Sequence, residues 1–428
     1  MKIQLKQIIV SVMLLGLCGT AFSQEILRLT LKEAQDYALR HNRIVWNAGL
    51  SVSEAQKRTW ETISAGLPQV SATVNYQNMM GFKMEFAGMS IPLQPTSNLQ
   101  ATVTQLLFSA SYWVGIKMSK IGEEISETAR LQAELDVKQQ TQSAYYAVLV
   151  AEESKKILEQ NLNNIQILAQ SAENLVRIGV AEQTDADRMK LQVVTMTNAI
   201  TMIERNIELA YNLLRFSLGV ETDTKIELTE TLFDDCIPCR NYELQAKSFD
   251  INANYNMQLM TGQIELADMR INLEKAASLP TVAAFYSYTH KIARSTFDMS
   301  PNNVIGLQAS IPIFASGQRH VRTQQAKINL QKAQNSRDLL ADQLLMQEKQ
   351  LRFNLENAIE SLELQNEAVS VSRRVFESVS RKFQQGTASS LDVTVASSEL
   401  LQAQTNYINA MMQVFAAQTE LEKLLNTL

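Results

Sequence analysis

Histidine, cysteine and tryptophan are scarce in this chain, three residues of each among 428. His41, His290 and His320 stand far apart, so zinc at the close pair Cys236 and Cys239 would lack two further ligands, and no metal is expected. No nucleophile stands beside a base and no glycine-rich loop is placed to cradle phosphate, so neither an enzyme nor a cofactor is expected. With 39 basic against 44 acidic residues and a net charge of −5, the chain has no basic footprint for nucleic acid. Beyond the first residues, no stretch approaches the ~20 consecutive apolar positions of a membrane-spanning helix. Glycine and proline are both absent between Gly122 and Gly179, and again between Gly317 and Gly386.

What is present begins with an export signal. Lys2 and Lys6 precede an apolar stretch from Ile8 to Leu17, and Ala21-Phe22-Ser23 supplies small residues at −3 and −1 of a cleavage site. Residues 1–23 therefore read as a signal peptide with Gln24 as the mature start, which moves the net charge from −5 to −7 by removing two lysines and no acids. Lipidation of Cys18 is the minority alternative, because Leu17 stands where a lipobox wants a small residue. An exported chain without a spanning helix is periplasmic, secreted, or inserted in the outer membrane as a barrel.

The rest of the chain says the same thing twice, at a spacing of about 207 residues. Phe108 answers to Phe314, Gly179 to Gly386 and Asp185 to Asp392. The first copy covers 24–220, with strands near 68–77 and 99–108 and a helical hairpin near 110–218 that turns at 179–184. A linker, 221–240, holds Cys236-Ile237-Pro238-Cys239. The second copy covers 241–428, with strands near 280–289 and 303–313 and a hairpin near 316–426 that turns at 386–389.

The strands alternate with period two: Val70, Ala72, Val74 and Tyr76 face away from Gln69, Ser71, Thr73 and Asn75. Leu99, Ala101 and Val103, and later Ile305, Leu307 and Ala309, repeat the pattern. Each segment has about the 9 to 11 residues that cross a bilayer at a tilt, but a soluble sheet fits the same pattern. Four strands cannot close a membrane barrel, since the smallest have ~8 and an open edge in lipid leaves backbone groups unpaired. Membranous strands would therefore demand oligomers, and three copies would give twelve strands. Segments 77–98 and 289–302 would then be outer loops.

The helices are far longer than ordinary globular ones. Residues 318–385 would extend ~100 Å as a single helix. Leu355, Leu362, Val369, Phe376 and Phe383 recur every seven residues, while Leu158, Ile165 and Ala172 form one lane of the first copy and Leu168 and Leu175 another. Gly179 and Gly386 suit left-handed caps. Thr184 to Asp187 and Ser389 to Asp392 each offer a hydroxyl followed three residues later by an acid, close to a capping box.

Taken in order, these residues resemble the TolC family of outer-membrane efflux proteins over nearly the whole mature chain. The likeness is carried by Leu29-Thr30-Leu31-Lys32-Glu33-Ala34 with Asn42, by Gly66-Leu67-Pro68-Gln69-Val70, and by Ile311-Pro312-Ile313-Phe314 with Gly317. Arg43 and Leu106 depart from it, standing where proline is common. The resemblance implies a homotrimer in outer-membrane lipid: a twelve-stranded β-barrel continued by an α-helical coiled-coil tunnel into the periplasm. It further implies helical tips that dock a periplasmic adaptor (membrane fusion) protein, itself coupled to an inner-membrane transporter of the RND or ABC type.

The family's tip pattern maps onto Gly179, Val180 and Asp185, and onto Gly386, Thr387 and Asp392. Its acidic periplasmic entrance maps by position onto Glu377, but Arg373, Arg374, Arg381 and Lys382 surround that residue, so a solvated helix face is equally open. A local disulfide between Cys236 and Cys239 is the better reading of the linker pair in an oxidising compartment. The expected function is an exit duct for a tripartite efflux or type I secretion system; the alternative is a secreted coiled-coil scaffold.

Overall fold

The computed structural model describes residues 26–86, 88–92, 94–231, 244, 246–294 and 299–428. The expected signal peptide, Cys18, and the expected Cys236 to Cys239 bond lie outside the described residues. Along the chain the elements are β1 (Leu27–Leu29), α1 (Leu31–His41), α2 (Arg43–Ser64), β2 (Gln69–Gln77), β3 (Lys83–Phe86), β4 (Met89–Pro92), β5 (Thr96–Ser109), α3 (Ala110–Arg177), α4 (Gln183–Leu218), β6 (Ile226–Leu228), α5 (Tyr255–Ala276), β7 (Thr281–Ala293), β8 (Asn303–Ser310), α6 (Gln318–Gln384) and α7 (Ser390–Leu424). They divide into two compact units that cut across the two sequence copies: a strand-bearing unit within 46–134 and 249–348, and a helical unit within 1–45, 135–248 and 349–428.

In the strand-bearing unit, β2, β5, β7 and β8 form one antiparallel sheet in that order, leaving β2 and β8 as its edges. β5 extends from Thr96 to Ser109 and β7 reaches Ala293, both longer than the alternation indicates: residues 96–98 of β5 pair with Asn75, Tyr76 and Gln77 of β2, and β7 runs past the end of β8 on its pairing with β5. β8 stops at Ser310 rather than 313: Pro312 has no N–H to donate, and Ser316 and Gly317 then turn through positive φ. Segment 77–98 is more than a loop, since β3 and β4 pair as a small hairpin inside it and β5 begins before its end. Segment 289–302 likewise begins inside β7.

The helical unit is anchored where the chain's distant parts meet. β6, inside the expected linker, pairs in parallel with β1. Thr30 and Glu33 form a capping box at the start of α1. Glu230 accepts from the Leu31 backbone N–H and from the buried Tyr145 hydroxyl, each at 3.0 Å. Asn42, buried at the end of α1, donates to Ser217 O at 2.7 Å and accepts from Ile44 N, which accounts for the turn without a proline at Arg43. Gly219 ends α4 at φ +74, and a Cβ there would stand 2.5 Å from His41 O, so only glycine fits. Tyr146 and Phe415 stack at 4.0 Å within the core beside them.

The heptad lanes meet one another. Ile165, Leu168 and Ala172 of α3 are buried against Phe376 and Phe383 of α6 and Val393 and Leu400 of α7. Buried amides fix the register of α3 against α7: Asn161 donates to Gln404 at 2.6 Å, and Gln142 to Glu422 at 2.6 Å and Thr419 at 3.1 Å. A sliding helix would strand these groups unpaired, at ~1–3 kcal/mol each.

Burial first, then the neighbouring carboxylate, raises the phenols of Tyr145 (beside Glu230) and Tyr211 (beside Glu152) well above the ordinary tyrosine range. The folded chain keeps these protons where the unfolded chain would release them. The stability they contribute is therefore intact below about pH 10 and falls above it, by about 1.4 kcal/mol per pH unit for each tyrosine. Alkaline unfolding followed by circular dichroism should set in above that pH and be less steep in a Tyr145→Phe, Tyr211→Phe double variant; identical slopes would contradict this account.

Candidate functional site

The two helical tips share one backbone solution. At the end of α3, Gly179 (φ +79) donates to Val176 O at 3.0 Å and Val180 N reaches back to Leu175 O at 2.9 Å. At the end of α6, Gly386 (φ +75) donates to Phe383 O and Thr387 N to Lys382 O, both at 2.9 Å. Both are Schellman closures, which satisfy carbonyls that the helix end leaves open. Val180 is 62% exposed, so capping leaves its side chain unexplained. Thr387 differs, because its hydroxyl also donates to Lys382 O at 3.0 Å.

The helices that follow start differently. Ser389 caps α7 as its spacing suggests, with Asp392 accepting from Ser389 N at 2.9 Å and from its hydroxyl at 2.8 Å. These bonds, the backbone one first, hold the Asp392 carboxyl below the usual carboxylate range. The cap therefore persists above that range and is lost as pH falls through the lowered pKa. In the first copy the N-cap is Glu182, not Thr184, which lies inside the first turn and donates to Glu182 at 3.2 Å. Asp185 accepts from Glu182 N at 3.4 Å and also from the hydroxyl of buried Ser390. The two tips are thus tied by one side-chain hydrogen bond, beside which a Cβ on Gly386 would rest 3.8 Å from Val180.

Glu377 lies exposed on α6, on one face with Arg373 and Arg381, and lines a cavity of about 390 Å³ with Gln160, Asn161 and Asn164 of α3. Among the described residues it makes no ion pair. Further apolar positions stand exposed among the described residues: Leu191, Val194, Met202, Leu209, Leu213 and Phe216 on α4, and Phe353, Leu364, Val371 and Val375 on α6. Their spacings of three, four, seven, eight and eleven residues follow a coiled-coil seam. Each of these helices carries a second seam beyond the one buried in the core.

In the strand-bearing unit the register brings every apolar alternation onto one face. Val70 pairs with Val103, Val103 with Tyr286 and Tyr286 with Ile305; Ala72, Ala101 and Tyr288 form a parallel row. That face is open, with Val70 at 74%, Ile305 at 83% and Leu307 at 73% exposure. The other face is polar, and Ser287 is buried there under Gln100, which donates to it at 2.7 Å. Phe285, Val304 and Leu106 are apolar exceptions on that face, and the Phe285 ring covers Gly306.

Sequence reasoning missed the Ser390 to Asp185 tie, because those residues are not equivalent in the two copies. It also missed the second seams, although their spacing was readable. Removing the tie with Ser390→Ala should speed amide exchange at 182–185 and 389–392 several-fold while leaving the helical core protected. Unchanged exchange at both tips would show that the bond does not hold them.

The outer membrane efflux protein family matches residues 35–220 and 251–427. The outer membrane protein TolC of Vibrio cholerae serotype O1 is 21% identical over 393 residues, 89% of this chain and 87% of that protein. The TolC protein of Salmonella enteritidis is 22% identical over 428 residues, 97% of this chain and 85% of that one. Among solved structures, the outer membrane protein VceC of Vibrio cholerae has a TM-score of 0.74 at 16% identity, over 92% of this chain and 95% of its own. The MtrE outer membrane channel of Neisseria gonorrhoeae, in its open state, has a TM-score of 0.68 at 16% identity, over 92% and 88%. The structural likenesses establish a TolC-like fold, and the family match extends over most of the described sequence: this chain belongs to the outer membrane efflux protein family.

Proposed function

We propose that the chain is the outer-membrane exit duct of a tripartite export system, carrying substrates passively from an inner-membrane pump to the cell exterior. The observation that carries this reading is the sheet: one face apolar and open across all four strands, the other polar, with two free edges. Lipid accepts such a face only if no backbone edge is left unpaired. Because the four strands alternate in direction, free β8 of one copy and free β2 of the next run antiparallel, so rotation about an axis continues the sheet and closes it. Three copies close a twelve-stranded barrel with a polar lumen.

In this reading the second seams of α4 and α6 meet between neighbouring copies, making a twelve-helix tunnel. The tips at Gly179, Val180 and Asp185, and at Gly386, Thr387 and Asp392, face a periplasmic adaptor that joins the duct to an RND or ABC transporter. Opening requires the Ser390 to Asp185 tie to break as the hairpins part. Glu377 borders the periplasmic entrance, with Arg373 and Arg381 offsetting its charge. The chain itself performs no chemistry. A secreted coiled-coil scaffold would account for the helices but gives no reason for an apolar sheet face left in water.

Adjacent residues of β8 separate these readings. Leu307→Arg places a charge on the lipid-facing side, at a cost of ~2–4 kcal/mol near mid-membrane, whereas Gln308→Arg faces the lumen. Outer-membrane fractions should lose heat-resistant trimers with the first and retain them with the second. Equal tolerance of both, or recovery of the parent as a soluble monomer, would overturn the barrel. At the tips, Val180→Lys with Thr387→Lys should abolish export while trimers persist; unchanged export would remove the adaptor-docking role.

A further inference from the structure

The cavity that Glu377 borders has a composition that a solvated helix face does not require. Its floor is apolar, made by Leu168 of α3, Phe376 of α6 and Leu400 of α7, all buried. Its rim is polar and rich in donors, with Arg373 and Arg381 from α6 and Gln160 and Asn164 from α3. At about 390 Å³ it falls within the ~300–1,000 Å³ of small-molecule sites. The hydrogen bond from Asn161 to Gln404, both of which line it, holds the wall formed by α3 and α7 in place.

Several polar groups around it have no partner among the described residues. Ser380 Oγ is buried and makes no hydrogen bond, although Ser370, earlier on α6, donates to Asn366 O four residues back in the way open to a helical serine. The amides of Gln160, Asn164 and Gln384 are likewise unbonded. Arg373 and Arg381 each stand four residues from Glu377, a spacing that permits pairing, yet none of the three forms an ion pair. Two guanidinium groups against one carboxylate leave one positive charge over. An anionic group seated there offsets that charge, and the second arginine balances Glu377. The proposed assembly leaves this face free: Val371 and Val375 of the second seam stand roughly 200° around α6 from Arg373 and Glu377.

We propose that this cavity binds a small aromatic anion, a ring system bearing a carboxylate or sulfonate. The ring lies on Leu168, Phe376 and Leu400, and the oxyanion accepts from Arg373 or Arg381 and from the Ser380 hydroxyl. A guanidinium suits both parts, because its N–H groups match two oxygens at once and its plane stacks on aromatic rings. An aromatic cation finds the same floor but meets two arginines and one carboxylate. The inference rests on the helical unit alone and does not need the barrel.

Calorimetric titration of the full-length protein in detergent with 2-naphthalenesulfonate tests the site, with 2-naphthylmethylammonium as the cationic counterpart. The anion should saturate at one site per chain and bind about tenfold more tightly than the cation. Arg373→Gln with Arg381→Gln should weaken anion binding about tenfold, and Glu377→Gln should strengthen it several-fold, with thermal melting confirming that each variant is folded. If the double variant does not fold, the gain in Glu377→Gln carries the test by itself. Equal affinity for anion and cation would show adsorption to apolar surface, and unchanged affinity in every folded variant would place the binding elsewhere. Either result, or no saturable binding, would overturn the site. The expected responses in a protein that forms no trimers would keep the site and remove the duct.

Discussion

A β-strand edge presents a row of N–H and C=O groups that must find partners, and in hydrocarbon no water can serve. In this protein β2 and β8 are such edges, flanking a sheet whose apolar face lies open from Val70 to Leu307. A single chain can satisfy either the lipid preference of that face or the pairing of those edges, but not both. The proposed symmetric assembly would satisfy both at once, and much of the remaining architecture would follow from it. An even number of alternating strands is needed per copy, which the duplicated pair supplies.

The helices meet a comparable constraint by other means. α3 and α7 bury one seam inside the chain, while α4 and α6 each keep a second seam exposed among the described residues. Apolar seams alone would allow sliding by a turn. The amide pair Asn161 to Gln404, and Gln142 between Thr419 and Glu422, resist it, because each buried polar group has only one matching position. Near the tips this specificity thins to one hydroxyl and one carboxylate, Ser390 and Asp185. A single polar tie at the end of a strongly registered bundle is what the proposed opening of the tips would have to break.

Much of this was legible in the sequence because its signals are periodic. The two-residue alternation of Val70 to Tyr76, the seven-residue lane from Leu355 to Phe383 and the repeat linking Gly179 to Gly386 each report a local geometry that tertiary contacts preserve. Strand ends were less legible: β5 outruns its own alternation on pairing with β2, and β7 on pairing with β5. The parallel pairing of β1 with β6 was hidden, since three-residue strands carry no period. The first tip cap was misplaced by two residues because Glu182, not a hydroxyl residue, took the role. The tie between Ser390 and Asp185 depends on how two distant turns approach each other, which no local pattern encodes.

The central claim is that β8 of one copy pairs with β2 of the next. Oxidative cross-linking tests it most directly: in a Cys236→Ser, Cys239→Ser background, one cysteine on β2 is combined with a scan along same-face positions of β8, and outer-membrane protein is analysed under denaturing, non-reducing conditions. The account predicts covalent trimers for at least one register and none when either cysteine is present alone. Absence of intermolecular bonds at every register, with the protein still folded in the membrane, would contradict it.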